Sequence, residues 1–165
     1  MTNIRVESTS ELVFKGKKYR CAVGSNGFTD KPREGDKATP LGSYSLRECW
    51  YRTDRLETPE TALPLRVIHE NDGWCDESTH PQYNHHVKLP FAASHEKLWR
   101  DERIYDVIVP IGFNDAPVVA GVGSAIFFHL AKPNYSPTLG CVAVAFEDML
   151  EILRNLSTDS RIEIG

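Results

Sequence analysis

The 165-residue sequence has no long apolar run, no block of like charge and no closely paired cysteines. Each absence excludes something. A membrane-spanning helix needs about 20 consecutive apolar residues, and no stretch approaches that, so no membrane partner is expected. The 19 Lys+Arg and 23 Asp+Glu are scattered and sum to −4. Without a basic cluster, nucleic acid is not expected as a partner either. Cys21, Cys49, Cys75 and Cys141 form no CxxC pair, which argues against a zinc ribbon or a dithiol redox centre. The opening residues, Met1-Thr2-Asn3-Ile4-Arg5-Val6-Glu7, show neither the positive n-region nor the apolar h-region of a signal peptide. Reduced thiols and a cytoplasmic location are therefore expected. No repeat, low-complexity tract or linker divides the chain, and its length suits one domain over residues 1–165 with its own core.

Short β runs dominate what is present. Residues 12–14 and 19–23 flank Lys15-Gly16-Lys17-Lys18 and read as a hairpin. Residues 24–42 are polar and rich in Gly and Pro, a surface loop able to lie near a site. Residues 43–47, 65–69, 105–113, 125–130 and 141–145 read as strands, and 161–164 as a last edge strand. Residues 57–64 read as loop, 72–90 as irregular, and 93–101 as a short helix. In 147–155, Met149, Leu150 and Leu153, with Leu156 beyond, recur at helical spacing and predict a helix packed on the sheet. The expected architecture is mostly β with one or two helices.

One constellation carries chemistry. Ile126-Phe127-Phe128-His129-Leu130-Ala131 precedes a Pro-containing loop and then Pro137-Thr138-Leu139-Gly140-Cys141-Val142-Ala143-Val144. A histidine ending one apolar run and a cysteine heading the next suit thiol acyl transfer, with the thiolate attacking a carbonyl and the imidazole moving the proton. Gly140 permits a tight turn where amide N–H groups could hold an oxyanion. Period-2 alternation puts Cys141, Ala143 and Ala145 on one face and Val142, Val144 and Phe146 on the other. The second face reads as core, while the cysteine face carries only small residues and leaves room for substrate. The competing reading is a buried, inert cysteine beside a core histidine.

His, a loop, then Thr-x-Gly-Cys-apolar resembles the L,D-transpeptidase catalytic (YkuD) family, whose commoner motif is His, a spacer, then Ser/Thr-His-Gly-Cys-apolar-Arg/Asn. Lys31-Pro32-Arg33-Glu34-Gly35-Asp36 with Thr39-Pro40-Leu41-Gly42, Asn71 to Asp76, Tyr83-Asn84, Ser94 to Arg100, Tyr105-Asp106 and Gly123 to Phe127 extend the resemblance over residues 12–156. They are similar to a compact subgroup of that family. The resemblance implies a β-sandwich or squashed barrel, with Cys141 as nucleophile, His129 as base and Gly140 at the oxyanion turn. It needs no cofactor or metal. Three departures stand out: only eleven residues separate His129 from Cys141, Leu139 replaces the motif histidine, and Ala143 replaces Arg/Asn. The last puts in doubt how the donor peptide is gripped, and a residue of the 72–100 segment would have to compensate.

Thr138, Trp74, Tyr83, Asn84 and Arg33 are the candidate substrate-binding residues. Trp74 offers a flat aromatic and Asn84 an amide, which suit a peptide but equally suit a loop packing on itself. Arg33, with Lys31, could pair with a substrate carboxylate or simply be solvated. Cys75, His80, His85, His86 and His95 fit no common zinc spacing. The resemblance implies a muropeptide or peptidoglycan stem peptide as partner. With water as acceptor the activity is an L,D-carboxypeptidase releasing D-alanine from a tetrapeptide stem. With an amine it is L,D-transpeptidation or D-amino-acid exchange. A non-catalytic muropeptide-binding module is the reading from another class.

Overall fold

A computed structural model describes residues 2–165. The elements in chain order are β1 (Ile4–Val6), β2 (Glu11–Phe14), β3 (Lys17–Ala22), β4 (Phe28–Thr29), β5 (Thr39–Pro40), β6 (Gly42–Ser45), β7 (Cys49–Tyr51) and β8 (Leu65–Val67). There follow β9 (Asp72–Cys75), β10 (His86–Lys88), β11 (His95–Lys97), β12 (Val107–Pro110), β13 (Phe127–Leu130), β14 (Val142–Val144), α1 (Phe146–Asn155) and β15 (Arg161–Ile164). Ten strands form one sheet in the order β6-β15-β1-β2-β3-β14-β13-β12-β7-β8. A second sheet, β10-β9-β11, and the β4-β5 pair complete the structure.

The large sheet curls on itself. Ile4, Leu12, Phe14 and Ile162 from one half share a core with Val107, Val109, Phe128, Val142 and Val144 from the other. The result is a mostly β half-barrel, as expected. α1 closes this core with Met149, Ile152 and Leu153, spaced to form one helical face. Glu147 and Asp148 in its first turn and Arg154 in its last complement the helix dipole. The opposite face of β12–β14 packs a smaller cluster that includes Trp50, Ile108, Phe127, Leu98 and Cys141.

The hairpin of β2 and β3 turns on Lys15 and Gly16, both at positive φ (50° and 76°), the geometry of a two-residue turn matched to strand twist. The pairing that positions the site is the parallel one between β13 and β14, Phe128↔Val142 and His129↔Ala143. This register sets Cys141 beside Phe127. Cys141 and His129 therefore share a face, roughly 7 Å apart along the strand direction.

Four expectations need correction. Residues 93–101 form no helix: His95–Lys97 is β11, paired with β9 through His95↔Cys75, so tertiary pairing overrides local propensity. The 72–90 segment is not irregular throughout, because Asp72–Cys75 and His86–Lys88 pair within the same small sheet. β15 is no edge strand, lying between β1 and β6. Phe146 leaves the core face, because β14 ends at Val144 and Phe146 opens α1 half-exposed.

Candidate active site

A cavity of about 420 Å³ opens over the small-residue face of β13 and β14, lined by Cys141, His129, Ala143, Thr138, Tyr105 and Arg100 among others. Val142 and Val144 turn away into the main core, so the alternation read from the sequence leaves the space as expected. All four cysteines are free and buried. Of these, only Cys141 lines this cavity.

The thiol is held on two sides. Cys141 Sγ donates to Ala125 O at 3.3 Å and accepts from Phe127 N–H at 3.3 Å. Burial, then the charge of Glu96, pushes the thiol up to about 12, while the Phe127 N–H and Arg100 act in the opposite sense. His129 Nδ1 lies 2.9 Å from Leu130 O. A carbonyl only accepts, so Nδ1 carries the proton and Nε2 keeps the lone pair of a base. Burial pulls this imidazole down to about 4. At neutral pH both groups are uncharged, so Cys141 and His129 form no thiolate–imidazolium pair. The Tyr105 ring packs edge-on against His129, with centroids 5.2 Å apart.

The turn before the cysteine explains its glycine. Gly140 has φ +132°, and a Cβ there would sit 2.9 Å from Ala38 O. Thr138 Oγ1 donates to Cys141 O at 2.7 Å and accepts from Gly140 N–H at 3.1 Å. Thr138 thus braces the turn as well as lining the cavity. Because the Gly140 amide is committed to Thr138, the Cys141 N–H is left as the better oxyanion donor. It has no acceptor among the described residues.

The other candidate residues fall elsewhere. Asn84 is buried and committed: its Oδ1 accepts from Trp74 Nε1 and Ala125 N–H, both at 3.0 Å, and its Nδ2 donates to Phe113 O and Asn114 O. Trp74 and Asn84 line a separate cavity of about 320 Å³ behind Phe127. Tyr83 is buried, donating to Glu34 Oε1 at 2.8 Å and accepting from Gly123 N–H at 2.9 Å. Arg33 is exposed and borders a small side cavity of about 30 Å³. The 24–42 loop does reach the main cavity, through Glu34, Gly35 and Lys37. The histidines weighed for zinc are spread among local partners, His86 on Asp72 Oδ1 (2.6 Å), His85 on Tyr83 O (2.8 Å) and His95 on Ala93 O (2.9 Å). Among the described residues no three His, Cys, Asp or Glu side chains are placed to share a metal.

Residues 76, 96, 100 and 105 were not singled out as site residues, yet the fold brings Asp76, Glu96, Arg100 and Tyr105 to the cavity wall. Glu96 Oε2 accepts from Tyr105 Oη at 3.2 Å, and burial raises its pKa. Asp76 Oδ1 is buried without a hydrogen-bond partner. The sequence signals for them were their place in the segments that carry the family resemblance and the need for a polar group to replace the one missing at Ala143.

A buried thiol and a neutral imidazole share one cavity beside a glycine turn on a curled β sheet, an arrangement that suits cysteine acyl transfer. Residues 5–164 match the family described as the L,D-transpeptidase catalytic domain (YkuD), and the chain belongs to that family. Its chemistry is cysteine catalysis on peptidoglycan stem peptides. No curated protein matches the sequence. Among the described residues, no helix is long and apolar enough to cross a membrane.

Proposed function

We propose that this chain is an L,D-carboxypeptidase that removes the terminal D-alanine from tetrapeptide stems of muropeptides. One observation carries the choice of acceptor. Cys141 and His129 open into one cavity of about 420 Å³; a cavity of about 540 Å³ shares its Glu96, Arg100 and Glu102 wall but is lined by neither Cys141 nor His129, and one of about 320 Å³ contains neither. The first volume suits one short peptide. A second stem would need its own groove leading to the thioester, whereas water needs none.

Cys141 Sγ attacks the carbonyl carbon of the diamino acid's L-centre while His129 Nε2 takes the thiol proton. Both groups start neutral, so that proton moves during the attack itself. The oxyanion lies against the Cys141 N–H. Losing such a donor typically costs about 100- to 1000-fold in rate. The C–N bond to D-alanine then breaks, and His129 returns the proton to the departing amine. Water, deprotonated by His129, cleaves the thioester and frees the tripeptide and the thiol.

Mass spectrometry of a tetrapeptide stem incubated with wild type and Cys141→Ala tests this. Loss of one D-alanine with the wild type alone supports the reading. Cross-linked dimers, or exchange with added D-amino acid outrunning hydrolysis, would move the assignment to transpeptidation. Binding without turnover in both proteins would make the chain a muropeptide-binding module.

A further inference from the structure

We propose that Arg100 is the specificity residue that grips the free terminal carboxylate of the stem peptide, doing from just beyond the end of β11 what no polar side chain at position 143 does here. The inference rests on the carboxypeptidase reading.

Three observations lead to it. First, Ala143 pairs with His129 across β13 and β14 and presents only a methyl group to the cavity. The strand that carries the nucleophile therefore offers no cation. Second, the wall holds three cations, Lys37, Arg100 and Lys132. The two lysines are exposed, but Arg100 is half-buried, where its charge is less screened. That charge reaches both Cys141 and His129 and lowers the pKa of each. Third, the guanidinium is oriented and only partly used. It stacks over the Tyr105 ring at 4.3 Å, and Tyr105 in turn packs on His129. Nε donates to Lys97 O at 2.9 Å and Nη1 to Glu102 Oε1 at 3.2 Å. Nη2 approaches Glu96 Oε1 no closer than 3.7 Å, beyond hydrogen-bond length.

The chemistry fits an exopeptidase. A carboxypeptidase has to distinguish a chain end from a chain interior, and the end differs by one negative charge. A planar guanidinium matches a carboxylate better than an ammonium does. Glu102, the residue that now holds Nη1, is exposed, so a substrate carboxylate can displace it at little cost.

The test compares two tetrapeptide stems, one ending in D-alanine and one in D-alaninamide, on wild type, Arg100→Gln and Arg100→Lys. Wild type should favour the free acid in kcat/KM by about tenfold or more, the size of a charged hydrogen-bonded contact. Arg100→Gln should bring the two substrates to parity, the acid losing more rate than the amide, since any effect of the lost charge on Cys141 and His129 is common to both and cancels in the ratio. Arg100→Lys should fall between. A folded Arg100→Gln that keeps the wild-type ratio overturns the proposal. If that variant does not fold, an unchanged ratio in Arg100→Lys overturns it equally. A third stem, built with diaminopimelate amidated at its side-chain carboxylate, separates that carboxylate from the terminal one. If the Arg100 effect follows that group, the terminal assignment is wrong. If the wild type turns over no stem, the same acid-to-amide ratio is read as Kd on Cys141→Ala and on Cys141→Ala with Arg100→Gln. A ratio that collapses there supports the carboxylate grip even though the hydrolytic reading has failed, and a ratio that persists overturns it.

Discussion

The Cys141 thiol donates to the carbonyl of Ala125 at 3.3 Å, and Ala125 offers that carbonyl from left-handed backbone, φ 53°. A non-glycine residue pays for this conformation and keeps it only where its surroundings insist. The insistence comes from Asn84, whose Oδ1 holds the Ala125 N–H at 3.0 Å. Asn84 is itself left-handed at φ 57°, a conformation asparagine tolerates better than most residues. The position of the Cys141 thiol is thus set by an asparagine distant in sequence.

Asn84→Ala should therefore be costly in two ways. It strands Trp74 Nε1, the Ala125 N–H and two backbone carbonyls inside the protein. A loss of about 2–4 kcal/mol in urea unfolding is expected. In the folded fraction, kcat should fall by about 100-fold through misplacement of the thiol. Normal kcat in a folded variant would show that Ala125 does not depend on Asn84.

Gly140→Ala tests the turn. The new methyl meets Ala38 O at 2.9 Å from a backbone angle of +132°, which side-chain-bearing residues rarely adopt. The loop must shift, and with it the Cys141 N–H. Stability should drop by about 1–3 kcal/mol, and kcat should fall more than KM rises. Wild-type unfolding midpoints and rates would refute the role given to this glycine.

How much of this was legible beforehand follows from sequence distance. Eleven residues separate His129 from Cys141 on neighbouring apolar runs, so local pattern found them, while the face they share follows from the β13–β14 register. The Gly140 turn was equally local. Asn84 was noticed as an amide suited to substrate, but its real partners are Trp74, Ala125 and the 113–114 backbone. Nothing short of the folded register reveals those contacts. Arg100 and Glu96 lie in the 72–100 segment from which a compensating group was expected, but the helix assigned over 93–101 gave neither side chain its direction. As β11 and the residues that follow it, the segment brings Glu96 and Arg100 to the cavity wall.

Glu96→Gln probes the field at the thiol. The Glu96 carboxylate raises the Cys141 pKa on top of the effect of burial. Neutralising it removes that contribution, so the pH profile of Cys141 alkylation by iodoacetamide should move to lower pH. Mass spectrometry can follow Cys141 apart from the other three thiols. A profile that stays put, or moves up, would mean that Glu96 carries no charge over the range where the thiol ionises.

The last prediction concerns acid. Burial holds His129 near 4 against an ordinary 6.5. Between those values the unfolded chain binds a proton at this position and the folded chain does not, so folding stability contributed here is complete above pH 6.5 and is lost as pH falls toward 4. The full swing is on the order of 3 kcal/mol. His129→Gln abolishes the titration, so its urea midpoint should decline less than that of wild type between pH 6.5 and 4. The same lowered value keeps His129 unprotonated through mild acid. The acid limb of kcat/KM should then lie near pH 4 rather than at the ordinary imidazole range. A limb near pH 6.5, with parallel stability curves for the two proteins, would place His129 in a wetter setting than its packing under Tyr105 describes.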